Sequence, residues 1–166
     1  MGEGTRISWC HHTHNVVWGC TKVSPGCANC YAEQTADHGV MAYREAGEVV
    51  GVWGPNRPRR TFGAKYWQQP VKWNADAAKE NKRKRVFCSS MTDVFMDDPT
   101  IDAEREKLWP LIKATPFLDW MLLTKRHERI AQCLPAAWSP SIYPNVWLGV
   151  SIENGDYAHR ADALRV

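Results

Sequence analysis

No apolar run in this sequence approaches the roughly 20 residues that a bilayer-spanning helix requires, so neither a membrane helix nor a membrane partner is expected. The N-terminal stretch MGEGTRISW lacks a hydrophobic core and a cleavage site, which argues against a secretory signal. Gly2 follows Met1, but Arg6 stands where myristoylation requires Ser or Thr. Internal repeats and low-complexity tracts are missing as well, which excludes solenoid and disordered classes. A strong excess of one charge is also lacking: the formal net charge of +3 is too small to establish a nucleic-acid partner by itself. The expected location is the cytoplasm, where thiols stay reduced and clustered cysteines point to metal or redox chemistry ahead of disulfides.

What is present fits a single globular domain over residues 1–166, with 44% hydrophobic and 23% charged residues. Charge is uneven. RPRR (Arg57 to Arg60) and KENKRKR (Lys79 to Arg85) are basic, and DDPTIDAERE (Asp97 to Glu106) is acidic. Such runs are solvated faces by default, with phosphate contact as the alternative. Nine tryptophans are expected mainly as core and pocket walls, among them Trp9, Trp18, Trp53, Trp67 and Trp73.

The first half reads as irregular. RISW predicts a short strand, residues 10–31 a cysteine loop, and Tyr31–Ala46 a helix with Ala32, Ala36, Val40 and Tyr43 on one face, weakened by Gly39 and stopped by Gly47. Residues 47–84 read as an irregular basic and aromatic insertion. From Arg85 a rhythm sets in. RVFCSSM, FLDWMLLTK and NVWLGVSI are apolar strand patterns. Each precedes a helix pattern: one from Pro99 with Ile101, Leu108, Leu111 and Ile112 on one face, one over His127–Leu134, and one over Asp156–Leu164. With RISW this predicts an α/β fold of about four βα units around a parallel sheet. In such folds the site lies in the loops after the strands. Those loops carry Ser89, Ser90, Thr92 and Asp93, then Thr124 and Lys125, then Ser151, Glu153 and Asn154. Singly each could cap a helix or stabilise a turn; together they predict a polar pocket.

WGCTKVSPGCANCYAE groups Cys20, Cys27 and Cys30 as C-x6-C-x2-C, with Gly19 and Gly26 for tight turns. Two metals suit such thiolates. Structural zinc requires four ligands, and Cys10, His11, His12 or His14 of the CHHTH stretch could complete a site with Cys20. A [4Fe–4S] cluster held by three cysteines leaves one iron open, where S-adenosylmethionine (SAM) is chelated in radical SAM enzymes. Cys88, inside a strand pattern, and Cys133, near a helix end, are expected to pack as small hydrophobes. His127 is expected as a surface or capping residue.

ISW, Thr13-x-Asn15, WGCTKVSPGCANCYAE, SSMTDVF, LLTKRHERI and VWLGVSIEN with RADAL resemble, in order and spacing along essentially the whole chain, a bacteriophage-associated family of three-cysteine proteins. That family is radical-SAM-like, and its Thr-Asp and Thr-Lys elements are similar to those of spore photoproduct lyase. The resemblance implies a partial (β/α) barrel of radical-SAM type. It also implies a cluster on Cys20, Cys27 and Cys30, with SAM or substrate held by Ser90, Thr92, Asp93, Lys125, Ser151 and Glu153. A nucleic-acid substrate for modification or repair, a reductant for the cluster and a host-cytoplasm location follow from the same likeness.

The alternative, without catalysis, is a zinc-binding nucleic-acid-binding or structural phage protein. Three departures accompany the resemblance. The first cysteine gap is six residues where most radical SAM proteins have three, and the aromatic Tyr31 follows the last cysteine. The upstream stretch carries Cys10, His14 and Val16. The family pattern also implies further strand–helix units after Val166, and hence a protein partner or second copy completing the barrel.

Overall fold

In the computed structural model, residues 2–36, 43–45 and 48–165 are described. Four parallel strands form the main sheet: β1 (His12–His14), β4 (Lys84–Cys88), β5 (Leu118–Thr124) and β6 (Val146–Val150), side by side in that order. Between β1 and β4 the chain forms α1 (Tyr31–Thr35), the antiparallel pair β2 (Tyr43–Glu45) and β3 (Glu48–Val50), α2 (Ala64–Trp67) and α3 (Gln69–Lys79). The crossover from β4 to β5 is α4 (Pro99–Ala114), and that from β5 to β6 contains α5 (Ile130–Cys133). A mixed α/β architecture with a four-stranded parallel sheet is therefore present. Among the described residues, no helix is long and apolar enough to cross a membrane.

The sheet alternates as its sequence demands. Val86 and Cys88 of β4 and Leu118, Trp120 and Leu122 of β5 are buried on one face, against Trp73 and Ala77 of α3 and Ile101, Leu108 and Ile112 of α4. Helix α4 begins where Asp98 accepts a hydrogen bond from the Thr100 amide at 3.0 Å, with Pro99 in the first turn. Its far end is tied to the sheet by Asn145. The two N–H groups of the Asn145 side-chain amide are shared among the carbonyls of Ile112 and Thr115 at the helix end and of Leu118 at the start of β5, each 3.1 Å away.

Several expectations are corrected. The first strand is His12–His14, not RISW: Cys10 closes a turn onto the Ile7 carbonyl at 3.2 Å, and pairing with β4 starts only at His11. Of the helix expected over Tyr31–Ala46, Tyr31–Thr35 forms α1, whereas Tyr43–Glu45 lies in a strand; residues 37–42 and 46–47, with Gly39, Val40 and Gly47, fall outside the described residues. Residues 47–84 are not irregular throughout, since they hold β3, α2 and α3. His127–Arg129 forms a 3-10 turn ahead of α5. The segment expected as a helix over Asp156–Leu164 is a 3-10 helix, Gly155–Leu164, capped where Asn154 accepts from the Asp156 amide at 2.9 Å.

Candidate functional site

The C-terminal ends of β4, β5 and β6 open into one cavity of about 140 Å³. Its walls carry Cys20, Cys27 and Cys30 with Tyr31 and Trp53 on one side. Ser89, Ser90, Thr92, Asp93, Lys125, Arg126 and Ser151 stand on the strand-exit side. Of the nine sequence-expected site residues, eight line this cavity.

The cysteine loop is fastened at several points. The Thr92 hydroxyl donates to the Gly19 carbonyl at 2.6 Å, and the Gly19 amide donates to the Met91 carbonyl at 3.1 Å. Gly19 has φ +116°, and a Cβ there would overlap the Val52 carbonyl oxygen, so only glycine fits. The Tyr31 hydroxyl donates to the Ser90 carbonyl at 2.8 Å. Asn15, at the end of β1, donates to the Ser90 hydroxyl at 3.3 Å and accepts from the Met91 amide at 2.7 Å. Ser89, at φ +65°, makes the sharp exit from β4 that turns Ser90 toward the cavity.

Asp93 is the hub beneath the cavity floor. Its carboxylate accepts from the Phe95 amide at 3.0 Å, the Thr124 hydroxyl at 2.7 Å, the Lys125 amide at 3.1 Å and the Arg126 guanidinium at 3.1 Å. Arg126 then donates to the Thr21 carbonyl at 2.7 Å and lies 3.8 Å from the Cys20 sulfur. The Asp93–Arg126 pair is buried, with side-chain exposures of 8% and 7%. Its placement links three strand-exit loops and sets a cation beside Cys20.

Glu153 does not line the cavity. One of its oxygens accepts from the Ser24 hydroxyl at 2.8 Å and the other from Arg160 at 2.9 Å. It packs so closely on Gly26 that a Cβ at that glycine would overlap its side chain. It therefore holds the tip of the cysteine loop from below. Thr92 and Asp93 likewise spend their polar atoms on the protein itself. Lys125 and Ser151 are different: their side chains have no hydrogen-bonding partner among the described residues, and both face the cavity.

The thiols differ in environment. Burial pushes the Cys20 thiol up, against the opposing pull of Arg126. Burial also raises Cys27, but backbone hydrogen bonds with Val23 and Ser24, the Ser24 hydroxyl and the Lys125 charge outweigh it and hold this thiol below its ordinary value. Cys88 is fully buried in the core, its thiol pushed up to about 12 by burial, and Cys133 is also in the core, so neither belongs to the site. His14 stacks on Tyr66 with ring centroids 4.8 Å apart and meets Trp67 and Trp120 edge-on, and His12 stacks on Trp73 at 4.5 Å. Neither histidine lines the cavity, nor do Cys10 and His11. Among the described residues, no group of three or more Cys, His, Asp or Glu side chains converges to hold a single metal ion.

Cys20, Cys27 and Cys30 line one cavity, and soft sulfur donors of this kind suit zinc or an iron–sulfur group. The cavity is smaller than the roughly 300 to 1,000 Å³ of ordinary small-molecule pockets.

Sequence reasoning passed over Arg126, Arg160 and Arg59. Arg126 sits inside the LLTKRHERI motif, and a buried aspartate at a strand exit implies a buried counter-ion. Arg59, read as part of a basic run, is structural: it pairs with Asp98 at 3.0 Å and donates to the Val52 carbonyl at 2.8 Å. Of the five tryptophans singled out, Trp53 lines the cavity. His127 is partly buried and packs edge-on against His159, with ring centroids 5.0 Å apart.

No curated protein and no solved structure matches the chain. The family model described as "Protein of unknown function (DUF5131)" matches residues 4–166, essentially the whole chain, and the protein belongs to that family.

Proposed function

We propose that Cys20, Cys27 and Cys30 hold a [4Fe–4S] cluster with one open iron, that SAM binds there, and that the protein is a radical-SAM-like enzyme of nucleic-acid modification or repair. The observation that carries this reading is the meeting of three thiols and an unpaired Lys125 on one cavity at the C-terminal ends of parallel strands. The parallel sheet in chain order, with helices on one face, supports a partial barrel of the radical-SAM type.

When bound, the cluster supplies one electron for reductive cleavage of the cofactor's sulfonium. The protein's own residues have separate tasks. Cys27, whose thiol is held below its ordinary value, gives up its proton more readily than Cys20, whose thiol is raised by burial. Arg126 offsets thiolate charge next to Cys20, and Asp93 keeps that guanidinium in place. Lys125 offers an ammonium, and Ser90 and Ser151 offer hydroxyls, to the carboxylate and amino ends of an amino-acid cofactor. Trp53 and Tyr31 wall the cavity and limit water.

The test is anaerobic reconstitution with iron and sulfide, followed by metal and sulfide analysis and EPR with and without SAM. The expected result is iron and sulfide in the ratio of a [4Fe–4S] cluster and an EPR signal that changes on adding SAM. Stoichiometric zinc with no iron uptake would sink the reading and return the protein to a zinc-binding, non-catalytic role.

A further inference from the structure

One face of the parallel sheet carries the core; the other does not. Alternation puts Arg85 and Phe87 of β4, Asp119, Met121 and Leu123 of β5, and Trp147 and Gly149 of β6 on that second face, with Asp119 directly beside Arg85. Register places Phe87 beside Met121 and Met121 beside Trp147, so one apolar row crosses three strands. Phe87 and Trp147 then stand about 10 Å apart. Trp9 packs on Phe87 with ring centroids 4.6 Å apart. Trp147 is 63% exposed, Leu123 39% and Trp9 38%, an unusual amount of aromatic and aliphatic surface to leave in water.

Two features give this surface direction. It runs into the cavity, since Phe87 and Leu123 line both. It is also bracketed by cations: Arg85 precedes the apolar row and Lys125 follows it, and neither enters an ion pair among the described residues. The nearby acids are already engaged, Asp119 by Arg83 and Glu153 by Arg160. An aromatic centre with free positive flanks complements planar bases joined by phosphates.

We propose that this sheet face binds single-stranded nucleic acid, with a base stacked on Trp147 and neighbouring phosphates on Arg85 and Lys125. The assignment deepens the cluster reading by naming the substrate class led to the cavity mouth, and rests on it for that purpose alone. Strand binding itself requires no metal.

The experiment uses the metal-free full chain and labelled oligonucleotides of about 15 nucleotides, a length within common single-strand site sizes, as oligo-dT, oligo-rU and an abasic control. Anisotropy titrations are run from about 50 to 200 mM salt, where phosphate contacts report themselves. Trp147→Ala is expected to weaken oligo-dT or oligo-rU binding about 5- to 150-fold, and Trp147→Phe to restore most of it. Arg85→Gln should lower the slope of log K against log salt by about 0.7. The abasic strand should bind more weakly and be indifferent to Trp147→Ala. Affinity of Trp147→Ala within two-fold of the parent, or no binding at the lowest salt, overturns the proposal. A dimer in sedimentation that Trp147→Ala dissociates also overturns it, because the face then belongs to a second copy of this chain. Failed cluster assembly would leave strand binding intact, and lost strand binding would leave the cluster intact, so the two readings fail separately.

Discussion

Replacing Asp93 by alanine tests whether one buried carboxylate holds the cavity together. In the folded protein Asp93 accepts four hydrogen bonds from four different residues, and its partner Arg126 is 7% exposed. Removing the carboxylate leaves the guanidinium charged in a space with no compensating anion. Breaking one half of a buried ion pair costs about 3 to 5 kcal/mol. Against the about 5 to 15 kcal/mol that holds a domain together, that is a substantial fraction. For a chain of this size each kcal/mol moves the melting temperature by about 2 to 4 °C, so Asp93→Ala should melt about 6 to 20 °C lower. Arg126→Ala leaves the aspartate with three donors and should cost less. The double variant should then be more stable than the two single losses added together, by at least about 1 kcal/mol. Urea denaturation of the four proteins measures the cycle. An Asp93→Ala loss below about 1 kcal/mol, or strict additivity with Arg126→Ala, would refute the role given to this pair.

Two further outcomes follow from neighbouring features. His14 is fully buried among three aromatic rings, and burial holds its pKa down to about 3, so it stays neutral in the folded chain while the unfolded chain titrates near the ordinary value. Its contribution is complete above that ordinary value and is lost as pH falls toward 3, a loss of about 2 kcal/mol at pH 5. His14→Phe should shrink the drop in urea stability between pH 7 and pH 5 by about that amount, and an unchanged drop would contradict the assignment. Gly26→Ala should displace Glu153 from Ser24, cost about 1 to 3 kcal/mol and speed limited proteolysis within residues 18–33. Proteolysis at the parent rate would show that Glu153 does not hold the loop.

Much of this was legible where local pattern and tertiary burial agree. FLDWMLLTK alternates, and Leu118, Trp120 and Leu122 are the buried face of a strand. Asp98-Pro99 announced α4 by chemistry that acts within one turn. The N-terminal strand was misplaced because Ile7 and Trp9 carry more β propensity than His-Thr-His. What selects His12–His14 is register against β4, and no local pattern encodes that. Helix α3 escaped notice since its buried face comes down to Pro70, Trp73 and Ala77 in an otherwise polar stretch.

The site divides along the same line. Polar residues at strand exits could be read as a pocket from topology alone, and eight of the nine expected residues line it. Which of them keep free polar atoms could not. Asp93 and Thr92 are consumed by bonds to the protein, and Glu153 grips Ser24 and Gly26, partners far away in the chain. Nothing local in LLTKRHERI marks Arg126 as buried; its burial follows from its pairing with Asp93, a residue 33 positions away.

The contacts that shape the cysteine loop reach across most of the chain. Ser24 meets Glu153 over 129 positions, and Thr21 meets Arg126 over 105. During synthesis at about 5 to 20 residues per second, the thiols are therefore made roughly 6 to 26 s before the residue that latches their loop. Through that interval the loop lacks its Glu153 latch, and its thiols stay open to oxidants and stray metals. Protection of those thiols is left to the reducing capacity of the surrounding cell, and anaerobic expression should raise the yield of undamaged protein more than any change to the purified chain.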